Sequence, residues 1–240
     1  MYEERFYRHA GKPPDLDCYE VKIKETDLLC CTRGDLSGFI EDRVLFYRNQ
    51  LEEYIRVRPV FRESLAPVED DALAPLMARR MIVAAAALGV GPMATVAGAL
   101  AEHVGNDISL FSDEYVIENG GDISLSTRQE RVVLIYAGDS PFSGRIGIKV
   151  RPDERPYGIC TSSATVGPSL SFGKADAVCV VARSALFADG LATKVGNMVK
   201  KKEDLSRAID EGKNFPDVLA VLVVLGDHIG MWGDMELVRI

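Results

Sequence analysis

The sequence predicts an α+β fold with antiparallel sheet. Two observations carry that expectation. Apolar segments follow the order hairpin, helices, hairpin, and then hairpin, strands, two helices, strands, so that a β-β-α-α-β-β pattern is written twice. Strands and helices therefore do not alternate one by one, as a parallel βαβ sheet requires. The 120-region supplies the second observation: Asn119-Gly120-Gly121 between two alternating segments is a strong hairpin signal. No sequence repeat accompanies the repeated element order, and no Pro/Gly/Ser-rich linker divides the chain. The expectation is one compact unit over residues 1–240, with halves at about 1–128 and 129–240.

Residues 19–25 (YEVKIKE) alternate in polarity and read as a strand, Thr26-Asp27 as a turn, and Leu28 to Thr32 as the partner strand. Across 37–58, Ile40, Val44, Tyr47, Leu51 and Tyr54 recur at helical spacing and form one apolar stripe. Pro59 ends that helix. Asp70 or Asp71 is suited to cap a second helix reaching about Leu88. Pro92 is suited to open a third, ending near Gly105. Beyond it the period shortens to two. Glu114 to Glu118 and Asp122 to Thr127 form one hairpin, and Arg131 to Ala137 with Gly144 to Val150 form another. Tyr157 to Thr161 and Ala175 to Ala182 read as strands. Ser184 caps a helix to about Val199, and Glu203 to Glu211 continues as another. Leu219 to Leu225 is an apolar strand, and the terminal GMWGDMELVRI reads as a last one.

Of 240 residues, 47% are hydrophobic and 27% charged, which excludes a wholly disordered chain. The net charge of −8 argues against nucleic acid or an anionic membrane as partner, since both need clustered cations. The run Lys200-Lys201-Lys202 is followed by Glu203 and Asp204 and reads as a solvated helix terminus. Met81 to Ala101 carries no charge, but Gly89-Val90-Gly91-Pro92 interrupts it, so it reads as two buried segments around a tight loop rather than a membrane span. The N-terminal MYEERFYRHAGKPP shows no signal-peptide pattern. Cys18, Cys30, Cys31, Cys160 and Cys179 are odd in number and lack C-x-x-C spacing, which disfavours a zinc site. They read as reduced and mostly buried, favouring a cytoplasmic protein. In a strand, Cys30 and Cys31 point to opposite faces. A homodimer is the starting expectation, because symmetric dimers are the commonest oligomers.

Several stretches could carry chemistry. Gly89-x-Gly91-x-x-Ala94 matches the dinucleotide fingerprint. Ala84–Ala87 before it reads as helix, so a glycine-rich helix corner accounts for the match; a Rossmann-type NAD-binding enzyme is the alternative that a parallel sheet would support. Thr161 to Ser171 (TSSATVGPSLS) offers six hydroxyls to a phosphate or sugar, or is an ordinary polar loop. No G-x-S-x-G elbow supports a serine nucleophile. Asp189 and Thr193 lie one turn apart and together offer two hard oxygens to Mg²⁺; from spacing alone a plain solvated helix face is the better account of them. His9, His103 and His228 are isolated.

Three of these stretches, VIENGGD (116–122), ICTSS (159–163) and ADGLAT (188–193), in that order resemble the ApbE-like flavin transferase family. The runs GVGPMATVAGALAE and SLSFGKADAVCVVA are similar to a smaller uncharacterised bacterial and archaeal branch of that superfamily, over almost the whole chain. The resemblance implies a duplicated T-fold-like architecture and FAD as ligand. In active members it implies Mg²⁺-dependent transfer of FMN from FAD to a Thr hydroxyl of an acceptor protein, with release of AMP. Carried over, Asp189 and Thr193 are the catalytic pair and metal ligands, and the Ala94 carbonyl completes the protein's metal set. Gly91, Met93, Ala94, Asn119, Gly120, Gly121, Asp122, Thr161, Ser162 and Ser163 line the nucleotide pocket. The departures are local. Thr95-Val96 stands where the transferases carry Lys-Gly, Ser163 replaces the glycine of T-S-G, and Pro168-Ser169-Leu170-Ser171-Phe172 replaces His-x-x-Asp-Pro. These losses put transfer in doubt more than binding. The rival functions are therefore Mg-dependent FMN transfer or FAD hydrolysis, and non-catalytic flavin or nucleotide binding.

Overall fold

The structure, a computed structural model, describes Arg8 and residues 12–165 and 172–240; His9 and the 166–171 part of the hydroxyl-rich run lie outside the described residues. The chain opens with β1 (Asp17–Ile23) and β2 (Thr26–Thr32), followed by α1 (Ser37–Val57), α2 (Val60–Glu63) and α3 (Leu76–Leu88). A 3-10 turn (Pro92–Thr95) leads into α4 (Val96–Ile108). Next come β3 (Tyr115–Asn119), β4 (Asp122–Ser126), β5 (Arg131–Leu134), β6 (Ile146–Val150), β7 (Tyr157–Ser162) and β8 (Ala177–Ala182). Then α5 (Ala185–Met198), α6 (Asp204–Gly212), β9 (Val218–Leu225), β10 (His228–Gly233) and β11 (Glu236–Arg239) complete it.

Eight strands form one sheet in the order β1-β2-β3-β4-β7-β8-β9-β10, and β11-β6-β5 form a second. Every neighbouring pair is antiparallel. The α+β antiparallel expectation holds, and a Rossmann-type site is excluded: no parallel pair exists among the described residues, and a helix, α3, precedes Gly89. On either side of the β4–β7 pairing the chain follows the same course, two strands, helices, two strands.

Helices cover one face of the large sheet. The α1 stripe of Ile40, Val44, Tyr47 and Leu51 packs with α3 and α4 over Val21, Cys30 and Ile117. Helices α5 and α6 pack over Cys160, Val178, Val180 and Val221. The small sheet covers the opposite face, where Ile148 and Val150 meet Cys179, Val181 and Leu222. That second cover explains why β8 is an unbroken apolar run: both of its faces are buried. In the Met81–Ala101 stretch, α3 and the helices that follow bend by 102°, and no single described helix is long and apolar enough to cross a membrane.

Four expectations need correction. The first turn is Lys24-Glu25, with Lys24 at φ 53, and Thr26 and Asp27 belong to β2. Both are buried because cations reach them: Arg48 donates to Thr26 and Arg8 to Asp27, at 2.7 Å each. Next, α3 starts at Leu76 behind an extended Pro75; Asp71 instead accepts from Leu73 N–H at 3.0 Å and from the Tyr54 hydroxyl at 3.1 Å. The terminal segment is two strands, in different sheets, rather than one. Finally, Cys18 and Cys31 form a disulfide, leaving Cys30, Cys160 and Cys179 as buried free thiols. The two cysteines face each other across the β1–β2 ladder, on the sheet face opposite Cys30. The inference from reduced cysteines to a cytoplasmic compartment loses its basis.

The carboxylate of Glu114, just before β3, ties the two sheets together. It is fully buried and accepts from Arg128 N–H at 2.8 Å, from Thr127 and Arg131 at 3.2 Å, and from Arg33. Burial works against its charge, but these donors outweigh burial and hold it below its ordinary 4.5. A depressed folded value gives stability that is complete above pH 4.5 and is lost as pH falls through the folded value. Glu114→Gln is therefore expected to lower the melting temperature at pH 7 and to flatten its decline below pH 4.5. Parallel acid limbs for the two proteins would show that Glu114 is not a source of acid sensitivity.

Candidate functional site

The β3–β4 hairpin turns on Gly120 and Gly121 alone, between paired Asn119 and Asp122. Both glycines have positive φ, 68° and 100°, as a two-residue type I′ turn requires. The turn is braced from beneath. Glu118 accepts Gly121 N–H at 2.7 Å with one oxygen and the Arg8 guanidinium at 2.6 Å with the other. From the tip, Asn119 Nδ2 donates to the Ala97 carbonyl at 3.2 Å and so joins the turn to the first turn of α4.

That first turn has no side-chain cap of its own. Its amides are satisfied from α5: Asp189 Oδ2 accepts Gly98 N–H at 2.9 Å, and Ala97 N–H also bonds to this carboxylate. The helices meet closely at this point. A Cβ added to Gly98 would lie 2.2 Å from the Ala185 carbonyl oxygen and 2.8 Å from Asp189 Cβ. Ala94 is adjacent, its carbonyl oxygen 3.9 Å from where a Cβ on Gly190 would stand. Thr193, half-buried, follows one turn along α5. Strand β7 closes the other side. Cys160 pairs with Asp122 across the ladder and donates its thiol to the Ala185 carbonyl at 3.2 Å. The Thr161 carbonyl lies 3.8 Å from the Cβ position of Gly121, and Ser162 Oγ lies 3.6 Å from that of Gly196 on α5.

The electrostatics of this junction are unfavourable to the carboxylates. Burial pushes Asp189 up to about 7, against the pull of the Gly98 and Ala97 amides. Burial pushes Asp122 well above the carboxylate range, and the charge of Asp189 pushes it further. Burial also raises the Cys160 thiol, with the Asp122 and Asp189 charges in the same direction. A bound cation would relieve the repulsion.

Among the described residues no group of three or more His, Cys, Asp and Glu side chains is placed to hold a metal. The resemblance assigns an ion here the Asp189 carboxylate, the Thr193 hydroxyl and the Ala94 carbonyl, with water or a ligand phosphate for the remaining positions. That donor set is all oxygen and suits Mg²⁺, which keeps several waters and accepts phosphate oxygens.

The fold thus brings Ala94, the Asn119–Asp122 turn, Thr161, Ser162 and Asp189 to one junction, with Thr193 alongside. Asp189 is bonded to a neighbouring helix and does not belong to a plain solvated face. Ser163 is buried and accepts Thr165 N–H at 3.0 Å. Gly91 has a packing reason: its Cβ position is 2.0 Å from the Ser64 carbonyl oxygen. Met93 is half-buried against the α1–α3–α4 core. The sequence alone gives no role to Gly98, Glu118 or Arg8, although Gly98 lies in the GVGPMATVAGALAE run and Glu118 in VIENGGD.

Residues 11–224 match the model of a family described as AbpE bacteria. A UPF0280 protein of Methanocella arvoryzae is 40% identical over 215 residues, covering 89% of this chain and 87% of the relative. A UPF0280 protein of Methanocaldococcus jannaschii is 37% identical over 228 residues, covering 91% and 92%. Among solved structures, the apo form of the Pseudomonas stutzeri flavinyl transferase ApbE matches with TM-score 0.58 at 14% identity, over 90% of this chain and 94% of that one. The ApbE protein of Thermotoga maritima matches with TM-score 0.57 at 13% identity, over 89% and 96%. At such identities these two structures establish the fold.

Proposed function

The chain belongs to the AbpE bacteria family, an ApbE-like branch, and from that membership we propose that it binds a flavin nucleotide, FAD, with Mg²⁺ and acts on the pyrophosphate bond. The observation that carries this reading is the junction itself. A half-buried carboxylate, Asp189, lies beside Thr193, the Ala94 carbonyl and a two-glycine turn, with a second carboxylate, Asp122, held against it.

Mg²⁺ bound there would offset the charge that develops on the pyrophosphate. The chain's own residues do the positioning. Glycines 120 and 121 leave the turn without side chains, so a flat ligand can approach the backbone. Ser162, half-exposed at the end of β7 and facing α5, offers its hydroxyl to the ligand, whereas the Thr161 hydroxyl is engaged with Cys179. In the transfer reaction the hydroxyl oxygen of an acceptor protein forms a bond to the FMN phosphorus. The P–O bond to AMP breaks, AMP carries away the bonding pair, and the hydroxyl proton is released. With water as acceptor the products are FMN and AMP.

A second reading, binding without transfer, has a specific observation behind it. Thr95, where the transferases resembled carry a lysine, is fully buried and donates its hydroxyl to the Pro92 carbonyl at 2.8 Å. It supplies no cation to a phosphate. Calorimetric titration with FAD, with and without Mg²⁺, followed by chromatography for AMP and FMN, separates the two readings. The expected result is FAD binding strengthened by Mg²⁺. AMP release then marks transfer or hydrolysis, and binding with no AMP marks a carrier or sensor. Absence of FAD binding under both conditions refutes the proposal.

A further inference from the structure

Asp189 is held in place by a contact that runs in both directions. Glu102 lies on α4, four residues after Gly98, and is 7% exposed. Its Oε2 accepts the Ser184 hydroxyl at 2.6 Å and Leu186 N–H at 3.1 Å, both at the start of α5. Ser184 Oγ in turn accepts Phe187 N–H at 3.2 Å. The other Glu102 oxygen pairs with Arg80 of α3. Asp189, four residues after Ala185, performs the same service for the first turn of α4 through Gly98 and Ala97. Each helix thus supplies, from about one turn inside itself, a carboxylate that accepts from the first turn of the other, Asp189 from two amides and Glu102 from one amide and the Ser184 hydroxyl. The axis of the exchange is the close contact of Gly98 with Ala185.

Open amides at a helix N-terminus attract an anionic acceptor, and the pairing is directional because the donors point along the helix axis. Two such pairings around one contact fix both the separation of α4 and α5 and their register. A single pairing would leave a pivot. We propose that Glu102 is a positioning residue for the site: by holding the start of α5 on α4, it sets where Asp189 and Thr193 stand relative to Ala94 and the Gly120–Gly121 turn. This rests on the metal reading of Asp189 given above, and extends it to a residue that touches neither metal nor ligand.

The test uses the full chain and two probes, hydrogen exchange of the Gly98 amide and titration with Mg²⁺ alone. In Glu102→Ala, Gly98 exchange is expected to accelerate about five- to tenfold, the size of one lost capping interaction. Mg²⁺ affinity is expected to fall about tenfold, as when a group that orients a ligand is removed. Exchange at Val44 in α1 serves as the reference and stays at the wild-type rate. Glu102→Gln retains an acceptor for Ser184 and Leu186 while losing the charge pair with Arg80, so it is expected to restore Gly98 protection and most of the affinity. Unchanged Gly98 exchange in Glu102→Ala overturns the proposal. So does a Gln variant no better than Ala, which would assign the effect to the Arg80 pair. If Glu102→Ala does not fold, Ser184→Ala removes one of the two groups held by Glu102 and is expected to move both readouts in the same direction by a smaller factor; no movement overturns the proposal. Should wild type bind no Mg²⁺, the metal reading fails on its own, and Gly98 exchange still decides whether Glu102 positions Asp189.

Discussion

Asp189→Asn is expected to abolish Mg²⁺ binding while leaving the protein folded. The asparagine has the same size, and its side-chain oxygen can still accept Gly98 N–H, so the first turn of α4 stays capped. What disappears is a charge that the fold disfavours, since burial raises Asp189 to about 7 and its charge in turn opposes ionisation of Asp122. The stability change should accordingly stay within about 1 kcal/mol. A Mg²⁺ ion, by contrast, binds hard anionic oxygen, and the remaining Thr193 and Ala94 oxygens are neutral; a loss of at least about a hundredfold follows. Asp189→Ala should lose the metal as completely and in addition leave the Gly98 and Ala97 amides without their acceptor, lowering stability by about 1–2 kcal/mol. Calorimetric Mg²⁺ titration and urea denaturation of the two variants read these effects separately. Wild-type Mg²⁺ affinity in Asp189→Asn would remove this residue from the site.

The difference between these two substitutions marks what the sequence alone could and could not convey. The hairpin at Asn119–Asp122 was legible because its cause is local: two glycines that can adopt positive φ sit between alternating strands. The start of α5 was legible for the same reason, since Ser184 caps a helix three residues away. Strands β8 and β9 announce themselves as unbroken apolar runs because helices cover one face and the small sheet the other. Asp189 is another matter. Its spacing from Thr193 was visible, but the partner that turns it inward is an amide 91 residues earlier, and no pattern around either residue points to the other. The Cys18–Cys31 bond shows the same division. Alternation assigns Cys31 a face, and only the register of β1 against β2 assigns it a partner. Arg8 is the extreme case, a buried cation hydrogen-bonded to the carboxylates of Asp27 and Glu118, 19 and 110 residues away. The resemblance carried by VIENGGD and ADGLAT singled out Asp122 and Asp189, yet did not disclose that Asp189 also holds two helices together.

The substitution with the largest expected effect on stability is Gly98→Ala, and its sign is diagnostic. In an ordinary helix the change stabilises, because alanine is favoured over glycine by about 1 kcal/mol. Gly38 in the first turn of α1 is such a site, with open space where its Cβ would go, and Gly38→Ala should raise the urea midpoint. At Gly98 the new methyl would stand 2.2 Å from the carbonyl oxygen of Ala185 and 2.7 Å from its carbonyl carbon. Both are backbone atoms and cannot rotate away, so α4 and α5 must separate. Separation strains the packing of both helices and breaks the amide contacts of Asp189 and of Glu102 together. A loss of about 3 kcal/mol or more is expected, at or beyond the upper end for overpacking by one methyl. Mg²⁺ affinity should fall with it in whatever fraction remains folded. Ala185→Gly is not expected to rescue the variant, because the obstructing atoms belong to the backbone. A Gly98→Ala protein as stable as Gly38→Ala would mean that the two helices do not meet at this register, and the reciprocal capping that positions Asp189 would fall with it.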